Sequence, residues 1–198
     1  IEALKGQTQP VDHIILVDSG SQDTSYLEPY GDSPEITLLQ EENIGFSAAN
    51  NLGAAQVFSS CDFLLFVNPD TFLDPGFIKE SLAVMDTYPE AGALSGKLLW
   101  YDVASDIPTR LLDSTGIFRA WYGRWYDRGQ GNNDTGQYSS FENVPAVCGA
   151  LMFCRRSALE DVMFPGNAIF DPDFFMYKED VELCLRLRKG GWKILYQP

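Results

Sequence analysis

The chain has 198 residues, 45% of them hydrophobic, which suits one domain with a sizeable core. Its 28 acidic residues outnumber 14 basic ones, and the net charge of -14 excludes a nucleic-acid partner, because phosphate backbones need Lys and Arg. The same balance speaks against a broad electrostatic dock on anionic lipid and leaves room only for a local basic patch.

The start, Ile1-Glu2-Ala3-Leu4-Lys5-Gly6, reads as the last turn of a helix ended by Gly6. Residues 11–17 form an apolar strand. The polar loop Asp18-Ser19-Gly20-Ser21-Gln22-Asp23-Thr24 can open a helix toward Tyr30, and residues 35–39 make a short strand. Asn43-Ile44-Gly45-Phe46-Ser47 leads into a helix over 48–58. The run Phe63-Leu64-Leu65-Phe66-Val67 is apolar at consecutive positions, as in a strand buried on both faces. It stops at Asn68-Pro69-Asp70, since proline cannot donate to the ladder. Asp74 caps and Pro75 opens a helix to about Tyr88, followed by a strand over 91–100. This alternation predicts a parallel sheet with helices on both faces.

The rhythm breaks between Tyr101 and Asn143. Residues 111–126 read as short strands with Trp121, Tyr122, Trp125 and Tyr126 clustered, and 127–140 as a mobile loop. Order returns with a strand over 144–154, a short helix near 157–162 and an aromatic segment, 170–177. A helix over 179–189 follows, ended by Gly190-Gly191, and then a strand over 192–196. No span of a bilayer and no signal peptide are visible. The cysteines, Cys61, Cys148, Cys154 and Cys184, form no C-x-x-C pair and read as buried reduced thiols of a reducing compartment. With His13 the only histidine, a zinc site is not expected.

Asp70 closes a strand at the carboxyl edge of the sheet, where open α/β sheets bind ligands and where a carboxylate can hold a divalent metal against a phosphate. Taken alone, the tripeptide favours an ordinary turn. Asp18 with Asp23, and Glu179 with Asp180, would lie along the same edge. Carboxylates gathered there repel unless a cation joins them. Glu179-Asp180 stands at a helix start, where acids serve as plain caps but where the dipole also suits a general base. Asn43-Ile44-Gly45-Phe46 either caps its helix or presents amides to an anion. The Trp121–Tyr126 cluster is either core or a sugar-stacking wall. Gly149-Ala150 marks a close backbone approach. Arg155-Arg156 starts a helix, in a solvated or salt-bridged role rather than as a phosphate partner.

Five segments, in order, resemble glycosyltransferase family 2, whose members have the GT-A fold. They are Ile14-Ile15-Leu16-Val17-Asp18-Ser19-Gly20-Ser21-Gln22-Asp23-Thr24, Glu42-Asn43-Ile44-Gly45-Phe46-Ser47-Ala48-Ala49-Asn50-Asn51-Leu52-Gly53, Phe66-Val67-Asn68-Pro69-Asp70, Cys148-Gly149-Ala150 with Arg155-Arg156, and Phe174-Phe175-Met176-Tyr177-Lys178-Glu179-Asp180-Val181-Glu182-Leu183-Cys184-Leu185-Arg186. The Asn-Pro-Asp and Phe-Phe-Met-Tyr-Lys-Glu-Asp forms look most like the rhamnosyltransferase-type members of bacterial cell-surface polysaccharide synthesis.

The resemblance implies a Rossmann-like, mostly parallel sheet in a single domain. Residues 1 to about 100 would bind the nucleotide-sugar and the remainder the acceptor. It implies inverting transfer from a dTDP- or UDP-linked sugar to a carbohydrate or lipid-linked acceptor, in the cytoplasm or at the inner face of the plasma membrane. Asp180 would be the catalytic base and Glu179 its partner. Asp18, Ser19, Gly20, Asn43, Gly45, Asn51, Asn68 and Asp70 would surround the donor, with Asp70 on Mg²⁺ or Mn²⁺. Gly149, Ala150, Trp121 and Tyr177 would face the acceptor. A homo-oligomer, and peripheral membrane association through segments outside this chain, are compatible with it.

Departures from the family pattern carry expectations too. Asn68 replaces the first Asp of the D-x-D turn, so Asp70 is its single acid, and Ser19 replaces a second loop acid. The family's first strand would precede Ile1 and a later His would follow Pro198, so a chain trimmed at both ends is expected. Two rivals stand beside this reading. A sugar-nucleotidyltransferase would carry a glycine- and basic-rich loop near its start, and none is seen. A non-catalytic carbohydrate-binding domain would bind sugar without metal-dependent nucleotide binding.

Overall fold

A computed structural model describes residues 1–198 throughout. In chain order its elements are α1 (Glu2–Lys5), β1 (Ile14–Ser19), β2 (Ile36–Glu41), α2 (Gly45–Ala55), β3 (Phe63–Val67), α3 (Phe77–Thr87), β4 (Ala91–Gly96), β5 (Leu98–Asp102), β6 (Ile107–Ser114), β7 (Ile117–Arg119), β8 (Trp125–Asp127), β9 (Glu142–Asn143), β10 (Leu151–Arg155), α4 (Arg156–Val162), α5 (Glu179–Lys189) and β11 (Lys193–Gln197). Short 3₁₀ turns occupy Ser25–Tyr30 and Phe58–Ser60.

Side chains alternate between the two faces of a strand, and this sorts the central strands onto two cores. Ala93, Met152, Cys154, Ile194 and Tyr196 face Ala158 and Leu159 of α4 and Leu183, Cys184 and Leu187 of α5. Their neighbours Leu94, Phe153 and Leu195 face the opposite way, onto Met85 of α3. Helices therefore cover both faces, and the continuous apolar runs follow from that.

The sheet order is β3-β10-β4-β11-β9, with β1-β2 as a separate parallel pair. The expectation of a mostly parallel sheet is corrected. β10 runs antiparallel to both β3 and β4, β9 runs antiparallel to β11, and only β4-β11 is parallel in the larger sheet. A parallel neighbour needs a crossover connection. After β4 the chain instead enters two hairpins, β5-β6 and β7-β8. It then returns between β3 and β4 from the opposite direction.

The segment 127–140, expected as a mobile loop, is tied down. Leu112 N–H donates to Asn132 O, Gly131 N–H to Leu112 O, and Asp134 N–H to Arg110 O. Lys97 pairs with Asp134 at 3.0 Å. The Arg128 guanidinium lies between the Phe118 and Tyr138 rings, 4.6 and 4.7 Å from their centroids, and bonds Glu142. The strand expected over 91–100 is broken at Lys97 into β4 and β5, and α2 starts three residues earlier than expected. All four cysteines are free, and burial pushes the Cys148 and Cys184 thiols up to about 12. No helix is long and apolar enough to cross a membrane.

Candidate active site

Two loops of the first half meet backbone to backbone. Gly20 follows β1 with φ +88°, and a Cβ there would lie 2.8 Å from the Asn43 amide nitrogen. Only glycine permits that approach. Ser19 Oγ accepts the Ile44 N–H at 3.1 Å. Asp18, 7% exposed, accepts from the Tyr26 hydroxyl at 3.1 Å, and that hydroxyl also bonds Ser21 Oγ. Beside these residues opens a cleft of about 530 Å³, lined entirely by polar residues that include Asp18, Gly20, Ser21, Gln22, Gln40 and Glu42.

Gly45 and Phe46 present no free amides to this cleft. Gly45 N–H donates to Asn43 Oδ1 at 3.3 Å and Phe46 N–H to Phe175 O at 2.8 Å. A Cβ on Gly45 (φ +80°) would come within 2.5 Å of Phe175 O. The start of α2 is therefore occupied by the segment that leads into α5. Asn51 serves the same junction: its Oδ1 accepts the Ile169 and Phe170 N–H groups at 2.9 and 2.8 Å, and its Nδ2 donates to Phe170 O at 2.8 Å. Its polar atoms are consumed internally, so its role here is a clamp.

At the end of β3, Asn68 N–H donates to Ala150 O at 3.0 Å and Thr71 Oγ1 to the same oxygen at 3.2 Å. The turn 68–70 is thereby set beside Gly149-Ala150. Gly149 N–H in turn donates to Asp180 Oδ2 at 3.0 Å, and Val181 N–H to Asp180 Oδ1 at 2.7 Å. A Cβ on Gly149 would lie 3.3 Å from Asp180 Cβ, so the close approach expected at this glycine is made to Asp180. One short chain of contacts thus links the Asp70 turn to the first turn of α5.

Two carboxylates around Asp180 are under tension. Glu179 is 5% exposed and its Oε2 has no partner; burial pushes its carboxyl above the ordinary range, and the Asp180 charge adds to this. Asp127 has a buried Oδ1 without a partner. Burial raises it too, against hydrogen bonding from Ser114, with Asp113 and Asp180 adding. The sequence reading missed Asp127. Its signal lies in the hairpin register: Asp127 pairs with Ile117, which is 1% exposed, so both side chains share the inward face.

The acidic loops do not converge on one ion. No three His, Cys, Asp or Glu side chains gather into a metal-binding group. Asp18 is bonded to Tyr26 and Glu179 is buried, whereas Asp70 is exposed. An exposed lone carboxylate fits a divalent ion that brings most of its oxygen ligands with it. The aromatic cluster divides between core and surface. Trp121 is 96% exposed with Tyr122 as its ring partner, Tyr177 is exposed, and Trp125 packs against the core.

The family model for glycosyl transferase family 2 matches residues 1–163. The chain belongs to glycosyl transferase family 2. Two curated relatives from strains of Mycobacterium tuberculosis, both an N-acetylglucosaminyl-diphospho-decaprenol L-rhamnosyltransferase, are 30% identical over 207 residues. The match covers 93% of this chain and 64% of theirs, so the family 2 chain spans under two thirds of their length. Among solved structures, GalNAc-T7 with UDP, GalNAc and Mn²⁺ matches with a TM-score of 0.73 at 14% identity. That match takes in 99% of this chain and 38% of the other, and it shows the GT-A fold.

Within this family 2 fold, Arg155 and Arg156 are structural. Arg155 donates to the Ala91 and Met85 carbonyls at 3.0 and 2.7 Å, and Arg156 to the Cys61 carbonyl at 2.7 Å. They tie β10 and α4 to α3, to the first residue of β4 and to the segment before β3. Arg156 also pairs with Glu160, as the sequence suggested, whereas Arg155 bonds backbone carbonyls instead of a salt-bridge partner.

Proposed function

We propose that this chain is the catalytic domain of an inverting glycosyltransferase that moves a sugar from a nucleotide diphosphate to an acceptor hydroxyl. The observation that carries the reading is the linkage from the Asp70 turn through Gly149-Ala150 to Asp180. It joins the turn of a candidate phosphate-side carboxylate to a candidate base through one short chain of backbone contacts. Asp180 takes the proton of the acceptor hydroxyl. The hydroxyl oxygen then bonds the anomeric carbon from the side opposite the diphosphate, the old carbon–oxygen bond breaks, and nucleoside diphosphate leaves. The Gly149 and Val181 amides hold the carboxylate in place, which contributes through orientation. Glu179 and Asp127 shape the charge around it. Asp18, Ser19 and Gly20 line or flank the polar cleft for the nucleotide, and the second half of the chain supplies the acceptor side with Gly149, Ala150 and Tyr177.

Asp70 would hold Mg²⁺ or Mn²⁺, which neutralises charge on the departing diphosphate. By likeness to the mycobacterial relatives, the transferred sugar is a deoxyhexose, and a dTDP- or UDP-linked donor is proposed to supply it. The same likeness makes the acceptor a lipid-diphosphate-linked amino sugar on the path to cell-surface polysaccharide. The test is release of nucleoside diphosphate from candidate donors with Mn²⁺ and acceptor, in the wild type and in Asp180→Asn. General-base action is worth about 10²–10⁴ in rate, so the variant should lose at least that much turnover while donor affinity is kept. Near-normal transfer by the variant removes Asp180 as the base, and pyrophosphate-dependent formation of nucleoside triphosphate would move the chain to the nucleotidyltransferase class.

A further inference from the structure

The hairpin β7-β8 ends in a turn, 120–124, that projects from the second half of the molecule. Trp121 is 96% exposed and Tyr122 63%, and they contact each other edge to face with centroids 5.5 Å apart. Arg119 and Arg124 flank the pair, and Arg119 reaches back to the turn, 3.4 Å from where a Cβ on Gly123 would be. Next to the hairpin, α5 turns an outer face to solvent in which Leu185 (42% exposed), Arg188 and Lys189 lie at helical spacing. Phe118, Arg119, Trp125, Pro145, Leu185 and Arg188 line one shallow hollow there, with no acidic residue among them. None of Arg119, Arg124, Arg188 or Lys189 is in an ion pair.

This is unusual ground in a chain of net charge -14. Two acids exist for every base, yet four cations here stand without a carboxylate. Beyond about 8 Å the rest of the charge is screened at physiological salt, so a surface touching the tip meets the local sign and not the total. We infer that the turn 120–124, with the outer face of α5, seats this chain on an anionic lipid bilayer. The order of groups fits that partner. An indole and a phenol stand at the tip, where interfacial aromatic rings reside, and guanidinium groups follow at its base, where lipid phosphates lie. A projecting wedge of this kind suits a deformable headgroup layer better than a flat protein face.

The seat has a consequence that rests on the transferase reading above. β8 carries the chain from the tip to Asp127 in three residues, about 10 Å of strand. A lipid-linked acceptor would then meet the Asp180 site close to the membrane that holds it.

The experiment is flotation with vesicles of phosphatidylcholine alone and with about one third phosphatidylglycerol, at low and high salt. The proteins compared are the wild type, Trp121→Ser with Tyr122→Ser, and Arg119→Gln with Arg124→Gln. These side chains are exposed, so unchanged melting temperatures confirm that each variant is folded. The wild type should bind the anionic vesicles only, and salt should release it. Each basic residue near such a surface is worth about five-fold in partitioning, so the double arginine variant should bind about 25-fold more weakly, and the aromatic variant at least ten-fold. Binding that is absent, or equal in all three proteins, overturns the inference. So does self-association that depends on Trp121 without vesicle binding, which would assign the tip to a second copy. Flotation reads no sugar transfer, so its failure and that of the transferase reading are separate results.

Discussion

The Glu179 side chain is 5% exposed, with Oε2 lacking any hydrogen-bond partner. Burial holds its carboxyl above the ordinary range, so the folded protein keeps this proton to higher pH than the unfolded chain does. Stability from this group is full in acid and is lost as pH rises through its raised folded value. Glu179→Gln, which cannot ionise, should therefore stabilise the fold at pH 7, because it removes the buried charge while keeping the side chain's shape. The gain should shrink below the ordinary carboxylate range. Urea midpoints at pH 7 and in acid measure it, and a loss at pH 7 would show that an ionised Glu179 finds a stabilising partner. Reduced transfer in the same variant is the usual trade between stability and function. Asn51 teaches the opposite lesson. The family resemblance places Asn51 beside the donor, whereas the structure puts it in the middle of α2 and turns it to the chain's own backbone. Its partners lie 118 and 119 residues away, and no local pattern reveals them. Asn51→Ala strands two N–H groups and a carbonyl, so it should destabilise by on the order of 3 kcal/mol, seen as a lower denaturation midpoint with an unchanged slope.

At the scale of the element, α5 was the most legible part of the chain. Acids in its first turn, bases in its last and Gly190-Gly191 after it marked both ends, and the helix runs Glu179–Lys189 as read. β3 was equally plain, because its apolar run and Pro69 are local signals. What stayed illegible depended on distant partners: the break at Lys97, the insertion of β10 between β3 and β4, and the bonds that pin 127–140. The entry to α5 was also hidden. Tyr177 and Lys178 take φ values of 71° and 78°, two consecutive non-glycine residues in the left-handed region. Each costs about 1–2 kcal/mol relative to right-handed backbone, and together they aim Glu179 inward while Asp180 meets Gly149. Comparing Lys178→Gly with Lys178→Ala isolates the backbone term, since both lose the same ammonium. The glycine variant should be the more stable by about 1 kcal/mol. Equal midpoints would mean that the αL conformation is unstrained there.

For the whole molecule the deciding quantity is charge. Five ion pairs are present, most of them partly solvated. A pair of that kind is worth at most about 1 kcal/mol. Against them stands an excess of 14 negative charges on 198 residues, whose mutual repulsion acts over many more pairs. Salt weakens attraction and repulsion alike, so the sign of the response reports which is larger. Repulsion should win, and the urea midpoint at pH 7 should rise between ~0.02 and ~0.5 M NaCl, where the Debye length falls several-fold. Acidification should act in the same direction at first. Glu179 and Asp127, whose carboxyls burial holds high, take up protons early and are relieved of an unfavourable buried charge. Hydrogen bonds hold Asp23, Glu90, Asp102 and Asp134 below the ordinary range, and these keep their contribution until the pH falls through their lowered folded values. Stability should therefore peak on the acid side of neutrality and fall again in stronger acid. A midpoint that drops with salt and is highest above pH 7 would show that the five ion pairs outweigh the net charge.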